Sequence, residues 1–200
     1  AQACYQIAKE FDIEPYDEHT GKGVLRHIIG RIGQSGWMII LVTATEQLPH
    51  KEKWVEKLME RIPQVETIVH NVNGKRTNVI LGPKNNILYG DGTITDHIKD
   101  LQFTLSPHSF FQVNPEQTTV LYDQALAYAD LKGDETVIDA YCGTGTISLF
   151  LAHRAKHVIG IEIVEPAIIN ARENAHRNGY DNTEFIVADA AVEMPKLYKA

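Results

Sequence analysis

Residues 136–162 read TVIDAYCGTGTISLFLAHRAKHVIGIE, and the rest of the chain is best understood outward from them. An apolar stretch, Thr136–Ala140, leads into a turn carrying Gly143 and Gly145. A helical run follows from about Thr146 to Arg154, then a second apolar stretch, His157–Ile161, ending in Glu162. Short apolar runs bounded by glycine are the mark of fully buried parallel strands. Glycines lack a Cβ, so they let the backbone bend sharply and let a ligand press against it. Glu162, at the end of the second strand, puts a carboxylate where it can grip two ribose hydroxyls. Nucleotide cofactors bind at the carboxyl ends of parallel strands in such an arrangement.

Two cofactor classes use this geometry. The run from Gly143 to Ser148 nearly fits the G-x-G-x-x-G of a dinucleotide site. Asp139, at the strand end just ahead of the turn, discriminates between them. A carboxylate there would repel a pyrophosphate bound at the helix start. S-adenosyl-L-methionine carries no phosphate, and an acidic turn suits its sulfonium and ammonium groups. The acid therefore favours the methyl donor over NAD.

On this reading Asp139, Gly143 and Gly145 form the methionine end of a pocket; a purely structural strand-to-helix turn is the plainer alternative. Tyr141 either packs its ring on the cofactor or joins the core. Thr146 caps the helix or touches the ligand. Glu162 is expected on the ribose. Asp189, closing a third strand, is either a partner for the adenine amino group or a surface acid. Cys142 precedes a helix start, where a thiolate is stabilised, but a small buried cysteine is the commoner case. The histidines have no metal-ligand spacing, and no metal site is expected.

The 200 residues suffice for one large or two small domains, and 44% hydrophobic with 22% charged residues is ordinary for a globular protein. Cys4 and Cys142 give neither a disulfide framework nor a CxxC pair, which fits a reducing cytoplasm. No apolar run reaches membrane-spanning length, and the start does not read as a signal peptide. A net charge of −7 argues against diffuse nucleic-acid binding but leaves room for a local basic surface.

Upstream, Ala3, Ile7, Ala8 and Phe11 share one face of an initial helix. Val24–Ile32 and Trp37–Thr45 read as strands. Lys51–Arg61 reads as a helix with Trp54, Val55, Leu58 and Met59 inward. Thr67–Val72 is a strand followed by Asn73-Gly74, a strong turn signal. Asn78–Leu81, Ile87–Tyr89, Thr93–Ile98 and Leu101–Leu105 are further strand candidates. Residues 1–105 are thus expected to form a small α+β domain. Its recurring cations, Lys22, Arg26, Arg31, Lys75, Arg76 and Lys84, would track phosphates if they share a face. Beyond the SPHSFFQVN segment at 106–114, Asn114 caps a helix over Pro115–Asp130 with Val120, Leu121, Ala125 and Tyr128 inward. After the central unit come a helix over Pro166–Arg177, a stop at Asn178-Gly179, a strand over Glu184–Val187 and a helical start from Ala190. Residues 106–200 therefore read as half of a doubly wound α/β sheet.

Three stretches together, SPHSFFQVNP, DAYCGTGTISLFLA and GIEIVEPAIINARENAHRNG, resemble the bacterial RNA uracil-5-methyltransferases. The resemblance runs from about Tyr16 to the end. GKGVLRHIIGRIG, at 21–33, is similar to the central domain of the branch acting on 23S ribosomal RNA rather than transfer RNA. The resemblance implies the N-terminal half of a Rossmann-like class I domain dependent on S-adenosyl-L-methionine, preceded by a central α+β domain. It implies RNA as partner and assigns Gln112, Tyr141 and Glu162 to the methyl donor. The family chemistry uses a cysteine thiolate on carbon 6 of uracil, methylation at carbon 5, and a base that removes the carbon 5 proton. The target base must also leave its stack. The resemblance puts nucleophile, base and a DPPR-type acid beyond the third strand, so no catalytic residue is expected in these 200 positions. Nor are the family's N-terminal nucleic-acid-binding domain and iron–sulfur cluster. The chain is then expected to be an internal piece, unable to methylate RNA alone and binding the donor weakly, with its first parallel strand an unpaired edge. An NAD-dependent oxidoreductase and a non-catalytic RNA-binding module are the rival readings.

Overall fold

A computed structural model describes residues 2–198. The chain divides into two compact units between Ile94 and Thr95. The first holds a four-stranded sheet in the order β1-β2-β3-β4, made of Leu25–Ile32, Trp37–Thr43, Val65–Val72 and Lys84–Tyr89. β1 and β2 form an antiparallel hairpin, and β3 and β4 also pair antiparallel. β2 and β3 run parallel, joined by the crossover helix α2, Lys51–Arg61, with α1, Gln2–Glu10, ahead of them all. Cys4, Ile7 and Ala8 of α1 and Trp54 and Leu58 of α2 close one core with Ile39, Leu41 and Ile68. Val55 is only partly buried and Met59 is exposed, so the inward stripe of α2 is narrower than its sequence suggests.

Asn73-Gly74 does not make a two-residue hairpin turn, because β4 begins only at Lys84. Buried asparagines stitch the long connection instead. Asn73 Nδ2 donates to the carbonyls of Val79 (2.7 Å) and Ile80 (3.0 Å). Asn71 exchanges two bonds with Gly82, each 2.8 Å. Asn78–Leu81 accordingly belongs to this loop rather than to a strand. Arg26, its side chain 1% exposed, donates to the carbonyls of Asn73 and Lys75 (2.8 Å each) and pairs with Glu18 at 2.8 Å. Arg76 donates to the Thr20 carbonyl, and Lys84 pairs with Glu46. Arg26, Arg76 and Lys84, of the cations expected along phosphates, are thus engaged within the unit.

The second unit centres on a parallel sheet, β7-β8-β9, made of Thr136–Asp139, His157–Glu162 and Thr183–Val187. Helices α3 (Pro115–Ala129), α4 (Thr146–Ala152), α5 (Glu165–Arg177) and α6 (Ala190–Leu197) accompany it. Among the described residues β7 pairs only with β8, and it alternates half-buried and exposed residues rather than being buried throughout. The hairpin of β5 (Ile94–Ile98) and β6 (Leu101–Leu105) packs β6 on α5 and belongs with this unit. The division falls just after the first residue of β5, upstream of the 105 boundary expected from the sequence.

Asn114 caps α3 as its position implies, its side chain accepting from Gln117 N at 3.1 Å. The buried face of α3 is a different one, however. Thr118 and Tyr122 are buried, while Val120, Leu121 and Tyr128 are exposed. Apolar residues lie around much of this helix. Tyr122 selects the inward face, with its ring edge-on to Phe150 at 5.1 Å and its hydroxyl 3.0 Å from Thr146 Oγ1.

Candidate functional site: the carboxyl edge of the parallel sheet

The β7–α4 turn is held from below by the sheet. Cys142 N–H donates to the Ile161 carbonyl (3.0 Å), and Gly145 N–H closes the turn onto the Cys142 carbonyl (2.9 Å). Both glycines have positive φ, 53° at Gly143 and 82° at Gly145. Their surroundings differ. A Cβ on Gly143 would meet nothing within 4 Å, so that face of the turn is open to a ligand. A Cβ on Gly145 would press on Phe185 and Ala171 at 3.1 and 3.2 Å, so this glycine serves close packing.

Two carboxylates flank the open face. Glu162 accepts from Val164 N at 3.0 Å through Oε1 and from Gly143 N at 3.3 Å through Oε2. The last residue of β8 is thus tied directly to the glycine turn and held half-exposed. Asp139, the last residue of β7, lies opposite Gly160 in the register. Its Oδ2 accepts from Ser148 Oγ at 2.6 Å. Burial raises its pKa, with the nearby Glu162 charge adding to the rise and bonds from Ser148 and the Tyr141 backbone opposing it. Ser148, fully buried in the apolar run of α4, was not chosen from the sequence; a lone serine in TISLFLA, nine residues after the acid, is the signal that marks it.

Tyr141 is 81% exposed at the turn, not part of the core. Thr146 does not cap α4. Gly145 is the N-cap and has no side chain to offer, while the Thr146 hydroxyl bonds Tyr122. Asp189 caps α6, accepting from Ala191 N at 2.8 Å, beside Ala188, whose N–H donates to the Glu162 carbonyl at 3.0 Å. Asp139, Gly143, Glu162 and Asp189 therefore line the carboxyl edge of three adjacent strands. Gln112 is half-buried in the segment before α3, where Phe111 packs on Phe103 at 5.7 Å. Cys142 is buried, and its pKa is pushed up to about 12 by burial first and then by Asp139 and Glu162. A thiol in that setting is not a nucleophile at neutral pH. Among the described residues no group of three or more His, Cys, Asp or Glu is placed to hold a metal, and no helix is long and apolar enough to cross a membrane.

A parallel sheet with an open glycine turn after its first strand and an acid ending its second is the frame of α/β folds that bind nucleotide cofactors, and the likenesses that follow make it one of the methyltransferase class. Residues 131–200 match the model of a family described as a methyltransferase domain. The chain is 53% identical over 195 residues to an uncharacterized RNA methyltransferase of Halalkalibacterium halodurans, covering 96% of this chain and 43% of the relative. It is 50% identical over 200 residues to one of Bacillus cereus, covering 99% and 44%. The chain thus spans less than half the length of these relatives. Among solved structures it is similar to the Pyrococcus abyssi tRNA (uracil-54, C5)-methyltransferase in complex with S-adenosyl-L-homocysteine. That match has a TM-score of 0.77 and 26% identity, over 94% of this chain and 45% of that one. The methyl donor of this domain class is S-adenosyl-L-methionine. None of these likenesses favours the oxidoreductase or the non-catalytic binding module.

Proposed function

We propose that the protein to which this chain belongs methylates carbon 5 of uridine in RNA, with S-adenosyl-L-methionine as donor and 23S ribosomal RNA as substrate. The observation that carries the donor reading is the Glu162 carboxylate, held by Gly143 and Val164 backbone N–H groups beside the open face of the turn. The fixed carboxylate accepts from the ribose hydroxyls. Asp139 faces the sulfonium and ammonium end, and Tyr141, Gln112 and Asp189 complete the walls, Asp189 toward the adenine. RNA as substrate is supported by the names of the relatives, and uracil carbon 5 by the similar Pyrococcus abyssi enzyme. The ribosomal branch rests on the likeness of residues 21–33 alone. Of the six cations named from the sequence, Lys22 and Lys75 are exposed and are offered as phosphate contacts of the first unit, while Arg26, Arg76 and Lys84 are engaged and Arg31 is half-buried.

Chemistry at carbon 5 needs a thiolate adduct at carbon 6, because uracil carbon 5 is otherwise a poor nucleophile. Buried Cys142, its pKa raised, is poorly placed to supply it, and the resemblance to the uracil-5-methyltransferases implies that the nucleophile and the base that removes the carbon 5 proton lie in parts of the protein outside this chain. Each turnover replaces the hydrogen on carbon 5 by the methyl group. Ribosomal RNA fragments and transfer RNA carrying tritium on uracil carbon 5 therefore test the reading. Donor-dependent tritium release from the ribosomal RNA is expected with the full-length protein. Methyl transfer without tritium release would contradict the carbon 5 assignment, and release from transfer RNA alone the ribosomal one. The 200-residue chain by itself is expected to be inactive.

A further inference from the structure

Helix α5 carries asparagines at positions 170 and 174, and its C-cap is Asn178, so three asparagines stand four apart and on one face. That face lies against β6 and the segment following it. Gln102 N–H donates to Asn178 Oδ1 (2.9 Å), and Asn178 Nδ2 returns a bond to the Gln102 carbonyl (2.7 Å). Thr104 N–H donates to Asn174 Oδ1 at 2.8 Å. Asn170 Nδ2 donates to the hydroxyls of Ser106 (3.1 Å) and Ser109 (2.9 Å). The match is geometric. Four helical residues rise about 6 Å, close to the roughly 6.6 Å of two strand residues. Asparagines at every fourth position therefore keep pace with residues 102, 104 and 106, the first two met through the backbone of β6 and the last through the Ser106 hydroxyl.

Asn174 does something its two neighbours do not. It is fully buried, and its Nδ2 donates at 3.0 Å to the carbonyl of Thr144, which stands between Gly143 and Gly145. One amide thus joins the glycine turn to the strand that leads into the Gln112 segment. Without it both the Thr104 N–H and the Thr144 carbonyl would be left without this buried partner, a costly arrangement. We propose that Asn174 is a positioning residue for the methyl-donor site: through Thr144 and Thr104 it holds the glycine turn and the Gln112-bearing segment in one register. The inference rests on the donor reading given above.

The test uses the full-length protein, with affinity for S-adenosyl-L-homocysteine by calorimetry, melting temperature, and KM for the donor against kcat on RNA. Asn174→Ala removes both bonds. Asn174→Asp is isosteric and keeps the acceptor for Thr104 N–H, but it sets an oxygen against the Thr144 carbonyl. Asn178→Ala is the control, because it removes two backbone partners of β6 without touching the turn. Both Asn174 variants are expected to weaken binding at least about tenfold, equal to about 1.4 kcal/mol, and to raise KM while kcat changes by less than about threefold. Asn178→Ala should lower the melting temperature yet bind within about twofold of wild type. Wild-type affinity in Asn174→Asp, or equal weakening in Asn178→Ala, would overturn the inference while leaving the donor reading intact. Failure of the wild-type protein to bind would overturn the donor reading itself, and the inference with it.

Discussion

Glu162→Gln is the sharpest single perturbation of the site. The carboxylate is already oriented by two backbone N–H groups, one on each oxygen, at 3.0 and 3.3 Å. A ribose diol adds two donors to an acceptor that needs no reorganisation. Hydrogen bonds to a charged group contribute about 1.5–3 kcal/mol each. The glutamine carbonyl can still accept, but its NH2 opposes whichever N–H or hydroxyl faces it. The expected loss is about one charge-assisted bond, or a ten- to hundredfold rise in Kd for S-adenosyl-L-homocysteine, taking about 1.4 kcal/mol per tenfold. Because Glu162 is half-exposed, the loss of stability should stay below about 1 kcal/mol. Calorimetric titration of the full-length protein measures the first quantity and urea unfolding the second. Affinity within twofold of wild type, with the fold intact, would refute the assignment of Glu162 to the ribose.

Asp139→Asn separates stability from binding. A carboxyl whose pKa is raised in the folded state binds its proton more tightly there than in the unfolded chain. Its contribution to stability therefore falls as pH rises from the unfolded pKa through the folded one. The asparagine variant should lose that slope, which begins at the unfolded carboxyl pKa and runs upward in pH, and melt no lower than wild type at pH 7, yet bind the donor more weakly; a melting temperature well below wild type at pH 7 would show that the charge stabilises the fold. Cys142→Ala should keep methyl transfer within a few-fold and cost about 1 kcal/mol from the small cavity, since a thiol held near pKa 12 takes no part in the chemistry; abolished transfer in a folded variant would contradict this. Gly160→Ala should destabilise by about 1–3 kcal/mol, because its Cβ would stand 2.5 Å from Phe185 and 2.9 Å from Cys142 Sγ; unchanged thermal melting would show that the strand yields. Arg26→Ala should destabilise the first unit by about 2–3 kcal/mol without changing the salt dependence of RNA binding, a slope that a phosphate contact would lower.

Elements bounded by strong local signals were legible in the sequence. Helix α2 matches Lys51–Arg61, β6 matches Leu101–Leu105, and Asn114 with Pro115 starts α3, since caps and prolines act within a few residues. What depends on distant partners was not legible. The inward face of α3 is chosen by Phe150, on another helix. Asn73-Gly74 carries a hairpin signature, but buried Asn71 and Asn73 hold a longer loop whose partners lie six to eleven residues away. Thr146 has a capping residue type one position too late, because Gly145 already occupies the cap. The acids at 139 and 162 could be picked out because strand ends are readable. The roles of Ser148 and Asn174 emerge only once the helices are laid beside those strands.

The proposed donor site is the open face of one turn, and a crystal structure of the full-length protein with S-adenosyl-L-homocysteine tests it most directly. Both ribose hydroxyls are expected within hydrogen-bonding distance of the Glu162 carboxylate, with the amino-acid end against Gly143 and Asp139. A ligand bound away from the carboxyl edge of β7 and β8, or a dinucleotide with its pyrophosphate across Gly143 and Gly145 and Asp139 turned aside, would contradict it.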